Sequence, residues 1–293
     1  MRVRLSGVNP GDTKKRSGWL GNPMAYPRVV PHSDGAGVID SVGDGVDTGR
    51  VGERVWVWGA QSYRAMGTAA EFTVVPADRA VTLPEEVSDE VGASLAIPGI
   101  TAHRAVFGDG PIDGATVLVH GVRGGVGSLA AQLARWGGAT VIGTVRRQAD
   151  VDSATELGIA HVVSLDSADA TDRIRALAPD GVHRVIEVSL SDNVDLDAAV
   201  LRVGGVIAAY ASSHERPSLP FWPMLFDNIT FRLLGSDDFP AEATHAAAAD
   251  LTAAARDGAL SITIRETLPL DAIATAHDAV DAGGGGRVLL TIE

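Results

Sequence analysis

The apolar positions of this chain change period near Ile97. Before it, short apolar and β-branched runs alternate with turns rich in glycine and aspartate. Residues 35–42 run into Gly43-Asp44-Gly45, Gly52-Glu53-Arg54 leads into 55–58, and 71–75 stops at Pro76. Closely spaced strands without helical periodicity predict a small antiparallel barrel. After Ile97, strand-type runs are predicted at 116–120, 139–144, 161–164, 182–188, 206–210 and 229–234. Helices fit at 126–136, 172–177, 196–201 and the alanine-rich 241–256. This alternation predicts a doubly wound parallel sheet. Residues 262–264 and 287–291 return to strand character and are expected to rejoin the first domain. The expected organisation is a β-rich domain over 1–96, an α/β domain over 97–260, and a return over 261–293.

Within the α/β part, residues 116–147 carry the most information. The strand breaks into Gly121-Val122-Arg123-Gly124-Gly125-Val126-Gly127, and a helix follows. Val126, Leu129, Ala130, Leu133 and Ala134 recur at the spacing of one buried helix face. Gly121, Gly124 and Gly127 depart from the usual G-x-G-x-x-G register, whereas Gly125-x-Gly127-x-x-Ala130 fits its alanine-ending variant. A β-α-β unit with glycines at this turn seats a dinucleotide pyrophosphate on the helix N-terminus. Gly121, Gly124, Gly125, Val126 and Gly127 are therefore candidate cofactor-binding residues. The second strand ends in Thr144-Val145 and meets Arg146-Arg147, not the carboxylate that accepts a ribose 2′-OH in NAD-binding folds. Guanidinium groups attract a 2′-phosphate through charge-assisted bonds. Thr144, Arg146 and Arg147 thus predict NADPH as the cofactor.

Composition narrows the class. The 293 residues are 45% hydrophobic and 21% charged, ordinary for a globular protein with ample core. A net charge of −13 argues against nucleic acid or an anionic membrane as partner. No apolar run is long enough to span a bilayer, and the N-terminal residues lack a signal-peptide core, so a cytoplasmic enzyme is expected. There is no cysteine, hence no disulfide and no thiolate metal ligand.

Several motifs together resemble the zinc-independent quinone oxidoreductase (zeta-crystallin-like) branch of the medium-chain dehydrogenase/reductase superfamily. They are Gly7-Val8-Asn9-Pro10-Gly11-Asp12-Thr13, Ser33-Asp34-Gly35-Ala36-Gly37-Val38, Gly52-Glu53-Arg54-Val55, Pro98-Gly99-Ile100-Thr101-Ala102, the glycine turn, and Phe231-Arg232-Leu233-Leu234-Gly235-Ser236. The resemblance implies an α/β fold made of a Rossmann domain and a GroES-like β-rich catalytic domain, the latter N-terminally shortened. It also implies a homodimer formed through the edge strand at 229–234. Asn9 is implied to lie near the nicotinamide and the acceptor oxygen, Thr101 to touch the nicotinamide side, and Asp12 to sit close by. Trp19 occupies one of the family's tyrosine positions. Tyr26 is the candidate proton donor on chemical type, and Arg287 is a further candidate for the cofactor phosphate. Phe221 and Trp222 are candidates to roof an apolar acceptor pocket; a core or interface segment is the equal alternative. Among the histidines, His120 is expected to be a hydrogen-bonded core residue, whereas His32, His103 and His161 show no ligand spacing.

The catalytic-zinc positions of the zinc-dependent relatives fall on Asn9, Ser33 and roughly Ile97, none of them a usual zinc ligand. No metal is expected. Without a strong Lewis acid, the accessible chemistry is hydride transfer to a conjugated carbonyl acceptor such as a quinone or enone, whose own conjugation spreads the charge. The competing readings are an enoyl-thioester or biosynthetic ketone reductase, for which Lys14-Lys15-Arg16 would form a basic entrance, and a non-catalytic NADPH-binding sensor.

Overall fold

Buried and exposed positions alternate at the start of Arg2–Val8 and become continuously buried towards its end, as in a strand with neighbours on both sides. This is β1, and it pairs antiparallel with both β2 (Asp34–Val38) and β12 (Arg287–Thr291). The computed structural model describes residues 1–18 and 26–293, and the chain divides into two units. Trp19 lies outside the described residues.

Unit 1 comprises Met1–Ile100 and Thr244–Glu293. Its six-stranded sheet has the order β11-β12-β1-β2-β3-β4, with β3 at Arg54–Val57, β4 at Ala80–Thr82 and β11 at Ile264–Pro269. The β11–β12 pair is parallel and every other neighbouring pair antiparallel. Val3, Val8, Val288 and Leu290 form the core on one side, with Ala276 from α10 (Ile273–Asp281). Two short helices also belong here, α1 (Pro10–Arg16) and α2 (Asp89–Leu95). Residues 71–75, expected as a strand, make only a single bridge, Phe72 to Arg2, flanked by the bonds Val3 N–H to Glu71 O and Thr73 N–H to Met1 O.

The helix α3 (Ile97–Phe107) carries the chain past the boundary into unit 2, Thr101–Ala243. Its sheet is wholly parallel, in the order β10-β9-β8-β5-β6-β7. The strands are β5 (Thr116–Val119), β6 (Thr140–Val145), β7 (His161–Ser164), β8 (Val182–Glu187), β9 (Leu201–Ala209) and β10 (Thr230–Leu233). Counted within the unit this is 3-2-1-4-5-6, the doubly wound dinucleotide order, with β5 first and its C-terminal end at the topological switch point. Between the strands lie α4 (Gly125–Trp136), α5 (Val151–Thr155), α6 (Ala170–Leu177), α7 (Leu190–Val200) and α8 (Phe221–Phe226). The predicted α4 face packs as expected, with Leu129, Ala130, Leu133 and Ala134 buried.

Several boundaries differ from the expectation, among them β11, which covers Ile264–Pro269 against the expected 262–264. α7 begins at Leu190, well before residue 196, through a polar first turn of weak apolar periodicity in which the Ser189 hydroxyl donates to Asp192 and does not cap the backbone. β9 begins at Leu201, ahead of residue 206, through a segment whose Arg202, Val203 and Gly204 face outward and so show no core pattern. The helix at 241–256, placed by sequence with the α/β domain, is α9 (Ala241–Arg256), and from Thr244 onward it belongs to unit 1. There its Leu251 packs against Gly99, and the Thr252 hydroxyl accepts the Trp56 indole N–H at 3.2 Å.

Candidate functional site

Unit 1 gathers Asn9 and Asp12 into a buried polar cluster. Asn9 is the N-cap of α1; its backbone N–H donates to Asp12 Oδ2 at 2.8 Å, closing a capping box. The side-chain amide has only one possible orientation. Arg287 Nη1 can only donate and lies 2.8 Å from Oδ1, while Asp34 Oδ2 can only accept and lies 2.8 Å from Nδ2. Arg287 Nη2 also reaches Asp34 at 3.4 Å, and Asp34 Oδ1 accepts the Ile97 backbone N–H at 3.0 Å. Asn9 keeps one amide N–H beyond these contacts. Burial, then the neighbouring Asp34 carboxylate, pushes the Asp12 carboxyl up to about 7, against the opposing pull of the Asn9 N–H.

A hydrogen-bonded chain leads away from Asp34. Its backbone carbonyl accepts from the Thr68 hydroxyl at 2.6 Å. Having given its proton there, Thr68 must accept from Ser6 at 2.8 Å, and Ser6 must then accept from His32 Nδ1–H at 2.8 Å. His32 Nε2 is left as an acceptor for His277 Nε2–H, 2.8 Å away on α10. The buried His277 Nδ1 is then a bare lone pair, in keeping with its having no partner. Burial, with His277 and Arg287 nearby, holds the His32 imidazole down at about 3, so it stays neutral. His32 does this with φ +74°, a left-handed backbone that costs a side-chain-bearing residue roughly 1–2 kcal/mol.

Unit 2 holds the glycine turn. Gly121 has φ +65°, and a Cβ on Gly127 would lie 2.3 Å from the Gly121 carbonyl oxygen, so only glycine lets α4 start this close to the loop. The N-cap of α4 is Gly124, which has no side chain to satisfy the first-turn N–H groups of Gly125, Val126 and Gly127. Val122 N–H donates to Thr144 O, tying the loop to the end of β6. Arg146 and Arg147 follow, both exposed. Beneath the turn, His120 is fully buried as expected, with Nδ1 2.8 Å from the Thr144 hydroxyl and Nε2 2.8 Å from Asp197 Oδ1. Glu187 Oε2 lies 3.5 Å from the same Nε2. Burial lowers the imidazole, but Asp197 and Glu187 outweigh it and raise its pKa overall.

Of the remaining candidates, Arg287 joins the Asn9 cluster, whereas Tyr26, Phe221 and Trp222 make their contacts elsewhere. The Tyr26 hydroxyl donates to the Tyr63 carbonyl oxygen at 2.9 Å, on an exposed side chain, which places it poorly as a proton donor. Arg287, considered for a phosphate, is instead buried and spent on Asn9 and Asp34. Thr101 is buried in α3. Phe221 and Trp222 stand exposed on α8, in ring contact with each other.

Over residues 125–249 the chain matches the zinc-binding dehydrogenase family model, and over 1–85 that of the alcohol dehydrogenase GroES-like domain. It is 32% identical to the quinone oxidoreductase of Rattus norvegicus over 298 residues, covering 100% of this chain and 88% of that protein. The human quinone oxidoreductase is 30% identical with the same coverage. The chain belongs to the zinc-independent quinone oxidoreductase branch of the medium-chain dehydrogenase/reductase superfamily. Among solved structures, a mycobacterial protein complexed with NADPH superposes with TM-score 0.85 at 28% identity, covering 100% of this chain and 90% of its own. The chain is therefore an oxidoreductase of a nicotinamide-using family.

Its residues fit such a cofactor. The uncapped first turn of α4 and the glycine cradle in front of it form an anion site at the switch point. The former zinc corner does not fit a metal. Asn9, Ser33 and Ile97 surround Asp34, whose carboxylate faces the Arg287 guanidinium, so a cation there would meet a fixed positive charge. Among the described residues, one group brings three ligand-type atoms within 4.8 Å, namely His120, Glu187 and Asp197. At 2.8 Å, His120 Nε2 and Asp197 already have the spacing of a shared proton.

Sequence reasoning missed Asp34, Arg287 and the His32–His277 pair as parts of the Asn9 cluster. Asp34 stood inside a recognised motif and was within reach of such reasoning. No sequence signal linked His32 to His277.

Proposed function

We propose that this oxidoreductase uses NADPH and reduces a quinone or another conjugated carbonyl acceptor without zinc. The observation that carries the reading is the glycine cradle at the switch point with Arg146 and Arg147 exposed just beyond β6, where a 2′-phosphate needs cations. The acceptor class is supported by the relatives named quinone oxidoreductase and by the lack of usual zinc ligands at Asn9, Ser33 and Ile97.

NADPH, when bound, supplies a hydride, and one proton completes the reduction of the acceptor. The chain's own residues orient and donate. Asn9, held by Arg287 and Asp34, offers one amide N–H of defined direction to the acceptor oxygen. Asp12, with its pKa near neutrality, keeps a proton one hydrogen bond away from Asn9. It is a better proton source than Tyr26, whose hydroxyl is engaged elsewhere.

Turnover of NADPH and NADH with a panel of quinones, enones and enoyl thioesters tests this reading. Quinone or enone reduction with NADPH preferred is the expected result. Reduction confined to enoyl thioesters would replace the acceptor class. Cofactor binding without turnover of any acceptor would favour a sensor.

A further inference from the structure

The notable acid near the cofactor cradle is not at the end of β6 but a few residues beyond it. Asp150 ends the 3-10 turn Gln148–Asp150 and lies 23 positions after Gly127, close to the spacing at which NAD-binding folds place their ribose-binding carboxylate. In this chain it is engaged. Arg123, from inside the glycine turn, donates through Nη1 to Asp150 Oδ1. The pair bridges the ends of two adjacent parallel strands, since β5 runs into the turn, β6 runs into the 3-10 turn, and Val119 is registered against Gly143. That is the side of the switch point where the adenosine ribose of a dinucleotide lies. Both side chains are about one-third exposed, at 35% and 31%, so the contact is open to exchange with a solute anion.

We propose that Arg123 is a specificity-determining residue for the cofactor's 2′-phosphate and that Asp150 is its internal competitor. The inference rests on the NADPH reading above and adds a third cation to Arg146 and Arg147. Without ligand, the Asp150 carboxylate occupies the guanidinium of Arg123. A 2′-phosphate, with more charge and more acceptor oxygens, draws Arg123 away, while the carboxylate left behind repels it. Asp150 therefore weakens NADPH binding, and it does not serve as a ligand for the 2′-OH of NADH because Arg123 engages it. No bond is made or broken in this exchange; one ion pair replaces another.

Calorimetric titration of NADP⁺, NAD⁺ and adenosine 2′-monophosphate against the wild type, Asp150→Asn and Arg123→Gln tests this. Asp150→Asn is expected to tighten NADP⁺ and adenosine 2′-monophosphate about three- to tenfold, with NAD⁺ changed less than about twofold. Arg123→Gln is expected to weaken the two phosphorylated ligands about tenfold and spare NAD⁺. Arg123→Lys, which keeps the charge, should recover part of the loss. An unchanged thermal midpoint in each variant shows that the turn still folds; should Arg123→Gln unfold, Asp150→Asn and Arg123→Lys still decide. If Asp150→Asn instead weakens NAD⁺ and leaves NADP⁺ unaltered, Asp150 is a ribose ligand and the inference is wrong. Nucleotides that bind the wild type but ignore every variant overturn this inference alone. A wild type that binds neither cofactor overturns the nicotinamide reading and this one with it.

Discussion

His32 combines a left-handed backbone with complete burial and hydrogen bonds on both ring nitrogens. Strain of this kind persists only where surrounding contacts over-determine it. Its pKa, about 3 when folded against 6.5 when free, means that the unfolded chain binds the extra proton between those values. His32 therefore contributes stability that is fully present above pH 6.5 and is lost as pH falls towards 3, at up to about 1.4 kcal/mol per pH unit. Raised carboxyls such as Asp12 act in the opposite sense, because the folded state holds their proton between the free value of 3.8 and about 7. A difference between variants isolates the histidine. His32→Gly relieves the φ strain and removes the titrating ring, so its thermal midpoint should fall less than the wild type's between pH 7.5 and 5. Parallel declines in the two proteins would show that His32 does not govern that window. In the proposed proton transfer the protonated form of Asp12 is the donor, so quinone turnover should decline as pH rises above about 7. Asp12→Asn keeps an acceptor for the Asn9 N–H but has no acidic proton. It should lower kcat by about 10²-fold and flatten that limb of the profile; unaltered kcat with the same pH limb would assign the proton to another group.

Among the described residues, the strand β10 is one of four edge strands in the two sheets. It pairs with β9 on one side and stands at the edge of the unit 2 sheet. Leu234 N–H points to Ala209 O on β9, and successive N–H groups alternate sides, so those of Phe231 and Leu233 point to the open edge. Exposed apolar groups lie in the same part of the sequence, with Leu233 74% and Phe226 72% exposed. An open apolar edge is an association hazard unless something covers it. We propose that two copies pair there across a two-fold axis. Phe231→Pro removes one outward donor and spares the inward ladder, so it should convert a dimer to monomer by light scattering with little change in far-UV circular dichroism. A wild type that scatters as a monomer at micromolar concentration contradicts the pairing.

At the scale of the molecule, charge and ligand type decide what chemistry is open. A net charge of −13 disfavours polyanions as partners. No helix among the described residues is long and apolar enough to cross a membrane. The guanidinium of Arg287 is held on strand β12 by Asn9 and Asp34, beside positions 9, 33 and 97 that carry no usual zinc ligand. Activity should therefore survive dialysis against a strong chelator. Elemental analysis finding about one tightly held zinc per chain, with turnover lost on its removal, would defeat the proposed mechanism and direct attention to His120, Glu187 and Asp197.

The legible parts of this protein are those whose determinants lie close together along the chain. The β5–α4–β6 unit was readable because its strand, its glycine spacing and its helix periodicity all fall within one short stretch, and backbone geometry leaves few other ways to connect them. β7 and α9 were readable for the same reason, whereas the polar first turn of α7 and the outward-facing opening of β9 carried no apolar period. The Asn9 cluster is different in kind. Arg287 and Asn9 are 278 positions apart, Arg287 and Asp34 253, and His277 and His32 245. No period or motif spans such distances. These residues meet because β1 pairs with β12 on one side and β2 on the other, and burial then favours pairing of their polar groups, with His277 Nδ1 and Arg287 Nε as exceptions. The family resemblance of the motif at 7–13 could name Asn9 and Asp12; only strand pairing could say which groups orient the amide and raise the carboxyl's pKa.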